Sequence, residues 1–290
     1  MLKRIFVYPY ILWMFLFIAA PLLIVLWFAI TDTGADGQTV FTFYHVARFF
    51  RPAFAGEPFF QRLYIVVLTR SIWIAVLTTM VCFVLGYPLA YALAKFFGHR
   101  SILLFLFLVP LWMNFLLRTY AWMTILEQNG VLNALLSLVG LPTIDILFTD
   151  TAVVLGMVYN FLPFMVFPIY SVLKDMDNSV IEAAQDLGAN RVQVFFRVVL
   201  PMSVPGIISG LTMVFMPSVT SFIIPNLLGG GQFILVGNLI EQQFMRVGDW
   251  HFGSAMSAIL IALILLMMGF IKLIDRQPRN KDGPAEGVLY

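Results

Sequence analysis

Side chains able to do chemistry are sparse in this chain of 290 residues. His45, His99 and His251 stand singly, each expected at a surface or interface, and no H-E-x-x-H pair or G-x-S-x-G elbow occurs. Gly229-Gly230-Gly231 is not followed by the Lys-Ser/Thr of a phosphate loop, so it reads as a turn. Cys82 is alone in an apolar run, which excludes an internal disulfide and cysteine metal motifs and leaves it to pack as a small apolar residue. No catalytic group and no metal set is therefore expected. What stands out is the polar segment 177–201, DNSVIEAAQDLGANRVQVFFRVVLP, set between two apolar runs. Ser179 and Glu182 have the spacing of a capping box, so a helix is expected to start there. Val180, Ile181, Ala184 and Leu187 fall on one face of it, and Gly188 ends it in the left-handed conformation. Asn190 is a fair cap for a second helix, in which Val192, Phe195, Phe196 and Val199 repeat the apolar spacing until Leu200-Pro201 stops the run.

The elements that must hold this segment are membrane spans. Hydrophobic residues make up 61% of the chain and charged residues 11%, far from the roughly 25% charged of a soluble domain. A net charge of +2, with the 17 Lys and Arg in no block, gives nucleic-acid binding nothing to rest on. Six apolar runs are long enough to cross a ~30 Å core: about 5–30, 71–94, 102–126, 152–173, 204–228 and 255–271. The first is too long for the apolar core of a signal peptide, despite Lys3 and Arg4 ahead of it. Pro88 is expected to kink the second span, and Pro163, Pro168, Pro205, Pro217 and Pro225 need neighbours to satisfy the backbone they free. Gly206 and Gly210 form a G-x-x-x-G pair that permits close helix approach. Residues 233–240 are apolar but too short to span, hence re-entrant or packed on the outer surface.

Charge sets the orientation. Placing both termini and the 177–201 segment inside puts most of the Lys and Arg on the inner side, although Arg48, Arg51 and Arg62 run against the trend. The loops 31–62, 127–150 and 229–253 are then external. The fold expected is all-α integral membrane, a single domain over 1–290 with six transmembrane helices and a cytoplasmic helix pair.

Glu182-Ala183-Ala184, three residues, Gly188, nine residues, Val198, then Leu200-Pro201 resembles the EAA signature of membrane subunits in ATP-binding-cassette importers, with Val198 where the family usually has Ile. Further runs extend the resemblance over nearly the whole chain, toward the permeases of polyamine (spermidine and putrescine) importers. These are Leu85-Gly86-Tyr87-Pro88-Leu89-Ala90, Arg118-Thr119-Tyr120-Ala121-Trp122, Leu162-Pro163-Phe164-Met165-Val166, Pro168-Ile169-Tyr170, Asp249-Trp250 and Phe252-Gly253. The resemblance implies a type I ABC importer permease-like fold in the bacterial cytoplasmic membrane. It also implies that the hairpin, through Glu182, Ala183, Ala184, Asp186, Gly188, Leu200 and Pro201, docks on a separate ATPase. The partners implied are a second homologous permease subunit, an ATPase homodimer that carries ATP and Mg, and an external polyamine-binding protein; no cofactor is expected in this chain.

For a flexible polycation, weak and repeated aromatic and carboxylate contacts suit passage. Trp112, Asn114, Tyr159, Asn160 and Phe161 are the path candidates within the spans, with Glu241 and Asp249 at the outer mouth. Arg118 is expected to clamp a carboxylate or helix-end carbonyls and so fix the third span. Two other readings stay open: an amphipathic hairpin lying on the bilayer without a partner, and a secondary transporter or channel for small organic cations driven by an ion gradient. The absence of Asp and Glu from the span cores as drawn weighs against the second.

Overall fold

The computed structural model describes residues 7–33, 38–51, 62–95, 102, 105 and 107–274. Lys3, Arg4, His99 and Arg100 lie outside them. Among the described residues the first element is α1, Val7–Met14 and Ala20–Ala29 joined through a π turn at Phe15–Ala19. A two-stranded antiparallel ribbon follows, β1 (Thr31–Thr33) on β2 (Thr39–Phe41), then the short α2 (Tyr44–Phe49) and the 33-residue α3 (Leu63–Lys95). After α4 (Phe115–Leu126) and α5 (Val131–Leu138) comes α6 (Asp150–Asp175). The hairpin is α7 (Asn178–Asp186) and α8, which is Arg191–Val194, a π turn at Phe195–Val199, and Leu200–Met202. It leads into α9 (Val204–Thr220) and α10 (Ile223–Leu228). The last elements are α11 (Val236–Gln242, continued by a π turn at Gln243–Val247) and α12 (Trp250–Ile274).

Helices α3, α6 and α9 form the central layer. Their approach is set by small residues: a Cβ added to Gly206 would lie 2.9 Å from the Pro168 carbonyl oxygen and 3.1 Å from the Ile169 Cα, and one on Gly210 2.9 Å from the Met165 sulfur. The G-x-x-x-G pair thus seats α9 on α6. Met157, Met165, Ile169 and Leu173 of α6 are wholly buried in this core. A second cluster forms toward α12, where Phe252 and Met256 pack with Phe49, Ala75, Val219 and Val236. By contrast α1 packs on α12 along its second half while its first half is exposed throughout, an apolar surface left for lipid or another chain.

Two of the expected spans are not single helices. The run 102–126, partly outside the described residues, tightens to a 3-10 turn at Val109–Trp112 and goes extended at Met113 before α4 begins, because Pro110 withdraws a donor and Asn114 caps the new helix through the Leu116 amide at 2.8 Å. The run 204–228 breaks at Ser221, and α10 turns away from α9. Among the described residues, four continuous helices are long and apolar enough to cross a membrane, or five if α8 and α9, bent by 62°, are one span. Pro88, Pro163 and Pro168 are absorbed within continuous helices. The π turns at Phe15–Ala19 and Phe195–Val199 each precede a proline by two residues, Pro21 and Pro201. Widening the turn there accommodates a residue that cannot donate to the ladder.

The hairpin marks one end of the bundle, where the Lys95 ammonium donates to the Asn178 side chain at 2.8 Å. At the other end of α3, Tyr64 stacks on Phe49, and the Arg70 guanidinium pairs with Asp150 at 2.8 Å and covers the Phe233 ring. Residues 31–33 and 38–51, the start of α6 and the segment before α12 therefore share the end opposite the hairpin.

Replacing Gly206 with Val is expected to cost roughly 1–3 kcal/mol by overpacking the α6–α9 seam. Gly269→Ala, where a Cβ would meet nothing within 4 Å, is expected to be neutral. Thermal unfolding of the two purified variants in detergent checks this.

Candidate functional site

At the hairpin end, the cap of α7 is one turn-start earlier than the sequence suggests. The Asp177 carboxylate accepts from the Ser179 amide at 2.9 Å, and that backbone hydrogen bond holds its carboxyl below the usual range. The expected Ser179–Glu182 box does not form, since Asp177 already meets the free donor, and Glu182, Ala183 and Asp186 are exposed. Gly188 sits at φ +85° and closes a Schellman turn, with its own amide on the Gln185 carbonyl and the Ala189 amide on the Ala184 carbonyl. The capping box of the hairpin is at Asn190 and Gln193, whose side chains accept from each other's amides at 2.9 Å.

The apolar faces also differ from the expected ones. Ile181, Ala184, Val194, Phe195 and Val199 turn inward, and Phe195 meets the edges of Tyr87 and Tyr91 of α3. The Tyr87 hydroxyl reaches the Ser203 hydroxyl at 3.0 Å, beside the bend into α9. Leu187, Val192 and Phe196 instead point outward, 89%, 65% and 60% exposed. Leu200 is half-buried and Pro201 exposed at the far end of the pair. The inner face is thus locked to α3 while the outer face is an apolar surface.

The path candidates fall into separate places. Trp112 is exposed on the 3-10 turn against Phe105, and Asn114 is committed to capping α4. Tyr159 of α6 meets the Trp122 ring of α4 edge-on at 5.2 Å. Asn160, buried, donates to the Gly156 carbonyl at 2.8 Å and keeps a carbonyl oxygen without a partner among the described residues, while Phe161 belongs to the core. Arg118 has no carboxylate partner among the described residues: it is 7% exposed, in the first turn of α4, and its Nε makes no hydrogen bond there.

Glu241 and Asp249, expected together at one mouth, have different surroundings. Asp249 is committed, one carboxylate oxygen on the Phe252 amide at 2.9 Å at the start of α12 and the other on Arg48 at 2.8 Å. Burial alone would raise its pKa, but the Phe252 amide and the Arg48 guanidinium outweigh it and hold the carboxyl below the usual range. Glu241 has a buried Oε2 with no partner among the described residues, and it lines a cavity of about 410 Å³ with Phe222, Phe244 and Trp250. The cavity wall is almost wholly apolar, so Glu241 contributes little polar surface to it.

That cavity is held by residues whose roles do not show in the sequence. Asn238 of α11 donates to the Phe222 carbonyl at 2.8 Å and to Asn226 at 2.7 Å, and accepts from the Leu235 amide at 3.0 Å. The one visible signal was an amide side chain inside the short apolar stretch 233–240, which is buried in the protein and not laid on its surface. The histidines expected singly are also corrected: His45 is buried and stacks on His251 at 5.4 Å.

A bundle of apolar helices with a rigidly anchored polar hairpin at one end and a half-enclosed, carboxylate-bearing cavity toward the other defines a multi-pass membrane transport component. The chain belongs to the family of binding-protein-dependent transport system inner membrane components, which matches residues 46–280. It is 39% identical over 262 residues to the spermidine/putrescine transport system permease protein PotB of Escherichia coli (strain K12), covering 88% of this chain and 91% of that one. The PotB protein of Haemophilus influenzae is 38% identical over 259 residues, 88% of each chain. A bacterial alginate ABC transporter in complex with alginate pentasaccharide-bound periplasmic protein shares the fold, with a TM-score of 0.78 over 95% of this chain and 94% of that one at 17% identity.

Because the folded carboxyl of Asp249 lies below its unfolded value, its contribution is complete above about pH 4 and is lost as pH falls through the folded value. Asp249→Asn is expected to lower the thermal midpoint at neutral pH, with the difference from wild type shrinking below about pH 4. A pH series of melting curves for both proteins measures it.

Proposed function

We propose that the chain is a pathway-forming membrane subunit of an ATP-driven importer of polyamines such as spermidine and putrescine. The hairpin, with its Glu182, Gly188 and Leu200-Pro201 signature, is read as the cytoplasmic docking element for a separate ATPase homodimer, which holds the nucleotide and Mg. A second homologous permease completes the pathway, and an external polyamine-binding protein delivers substrate at the opposite end. Both termini are then cytoplasmic. The observation that carries this reading is the hairpin's division of faces: Phe195 and Val199 fix it to the bundle while Leu187, Val192 and Phe196 remain for another protein to cover. The substrate class is supported by the identity to PotB over most of both chains.

Coupling is tested at Gly188. At φ +85° a β-branched residue is strained whereas Asn tolerates the left-handed region. Gly188→Val is expected to abolish ATP-dependent putrescine uptake by complex-containing vesicles while still inserting, and Gly188→Asn to retain most of it. Equal uptake by the two variants, or uptake that persists without the ATPase, would overturn the docking role.

The substrate reading has its own check. Glu241→Gln and Tyr159→Ala are each expected to lower putrescine uptake several-fold while leaving complex assembly and basal ATP hydrolysis near normal. Unchanged uptake in both would remove these residues from the path.

A further inference from the structure

We propose that Asp32, His45 and His251 form a binding site for a transition-metal dication of the zinc type, at the end of the bundle opposite the hairpin. The three come from β1, α2 and the first turn of α12, far apart in sequence. Each offers one ligand atom, and these atoms all lie within 4.8 Å of one another. The His45 Nε2 to Asp32 Oδ2 distance is 3.5 Å, the spacing of neighbouring ligands in a tetrahedral zinc site, about 3.4 Å for bonds of ~2.0–2.1 Å.

His45 supplies the independent observation. It is 5% exposed, and neither ring nitrogen has a hydrogen-bond partner among the described residues. The one polar group facing it is the Asp32 carboxylate, 3.5 Å from Nε2 without hydrogen-bond geometry, so the buried imidazole is under-satisfied and a metal ion between the two would engage both. His251 is already set as a ligand. Its Nδ1 lies 3.0 Å from the Phe28 carbonyl oxygen, which can only accept, so Nδ1 carries the proton and the Nε2 lone pair faces the Thr33 hydroxyl, a long contact that a metal ion would displace. Holding a ligating imidazole by its other nitrogen is how metal-binding histidines are fixed. The Thr33 hydroxyl is 3.4 Å from that Nε2.

The charges agree. Arg48, one turn after His45 on α2, is neutralised by Asp249, leaving the Asp32 carboxylate to balance part of an incoming dication. Asp32 is half-exposed, which opens a route for the ion and a position for water. Two imidazoles and a carboxylate select zinc, copper, iron or nickel over magnesium and calcium, which prefer oxygen. An ion here would tie the β-ribbon and α2 to the start of α12.

The purified full-length protein, stripped with chelator and dialysed against micromolar zinc, is expected to retain about one zinc per chain by elemental analysis. Its thermal midpoint should rise with zinc, and cobalt should give the visible absorption of a tetrahedral site. His45→Ala and His251→Ala should each lose roughly tenfold or more in zinc affinity. Asp32→Asn, at a half-exposed position, provides a variant whose fold is not at risk and should weaken binding and change the cobalt spectrum. Failure of the wild type to retain zinc overturns the site, as does binding unchanged in all three variants. A thermal midpoint that responds only to pH between about 5 and 8, without zinc uptake, also overturns it and leaves a proton as the occupant.

Discussion

Backbone polar groups in a membrane have no water to fall back on, and the most demanding place in this molecule is the break after α9. At Thr220–Phe222, where the side chains are exposed or half-buried, the helix ladder ends and the freed carbonyls are met by protein groups. Asn238 meets one of them with its amide and holds Asn226 with the same group, while its own oxygen receives the Leu235 amide. Ser71 of α3 closes the adjacent gap by accepting from the Val236 amide at 2.8 Å while donating back to the Val67 carbonyl. Gly237 lets α11 press so close that a Cβ would sit 2.6 Å from the Thr220 carbonyl oxygen. Without these contacts α10 and α11 could not stand inside the bundle, and the Glu241 cavity would have no wall.

Asn133 repeats the device in the 127–150 segment, donating to the Ile144 carbonyl and accepting from its amide. Irregular backbone in this protein is tolerated wherever one buried amide side chain can bridge it. The central helices follow the opposite principle: α3, α6 and α9 are held by dispersion across seams of small residues, with hydroxyls such as Thr79 and Ser218 turned back onto their own carbonyls. The hairpin is joined to this seam through Phe195 on α3 and through the bend at Ser203 into α9.

Much of this was legible in the residues. The hydropathy runs located α1, α3, α6 and α12, the G-x-x-x-G pair marked α9 for close helix approach without saying against what, and Gly188 announced its left-handed turn. Cap assignment failed at Ser179 because Asp177 lies two residues upstream and wins the same amide. The faces of the hairpin were misjudged because a π turn cannot be read from a 3.6-residue period. The spans at 102–126 and 204–228 look unbroken in composition, since apolar residues line both the helices and the breaks; only Pro110, Asn114 and Asn238 carry the signal. Residues joined across more than two hundred positions, such as Arg48 with Asp249 and His45 with His251, leave no local pattern at all.

The π turn at Phe195–Val199 has a geometric effect on the hairpin. One residue added to a turn offsets the side-chain register on its two sides by about 100°. Val192 and Phe196 consequently look away from the bundle while Val199, three positions on from Phe196, looks into it. A uniform α-helix would carry all of them near one stripe and could face only one neighbour. The offset makes a single short helix two-sided, with one face packed on the bundle and the other exposed.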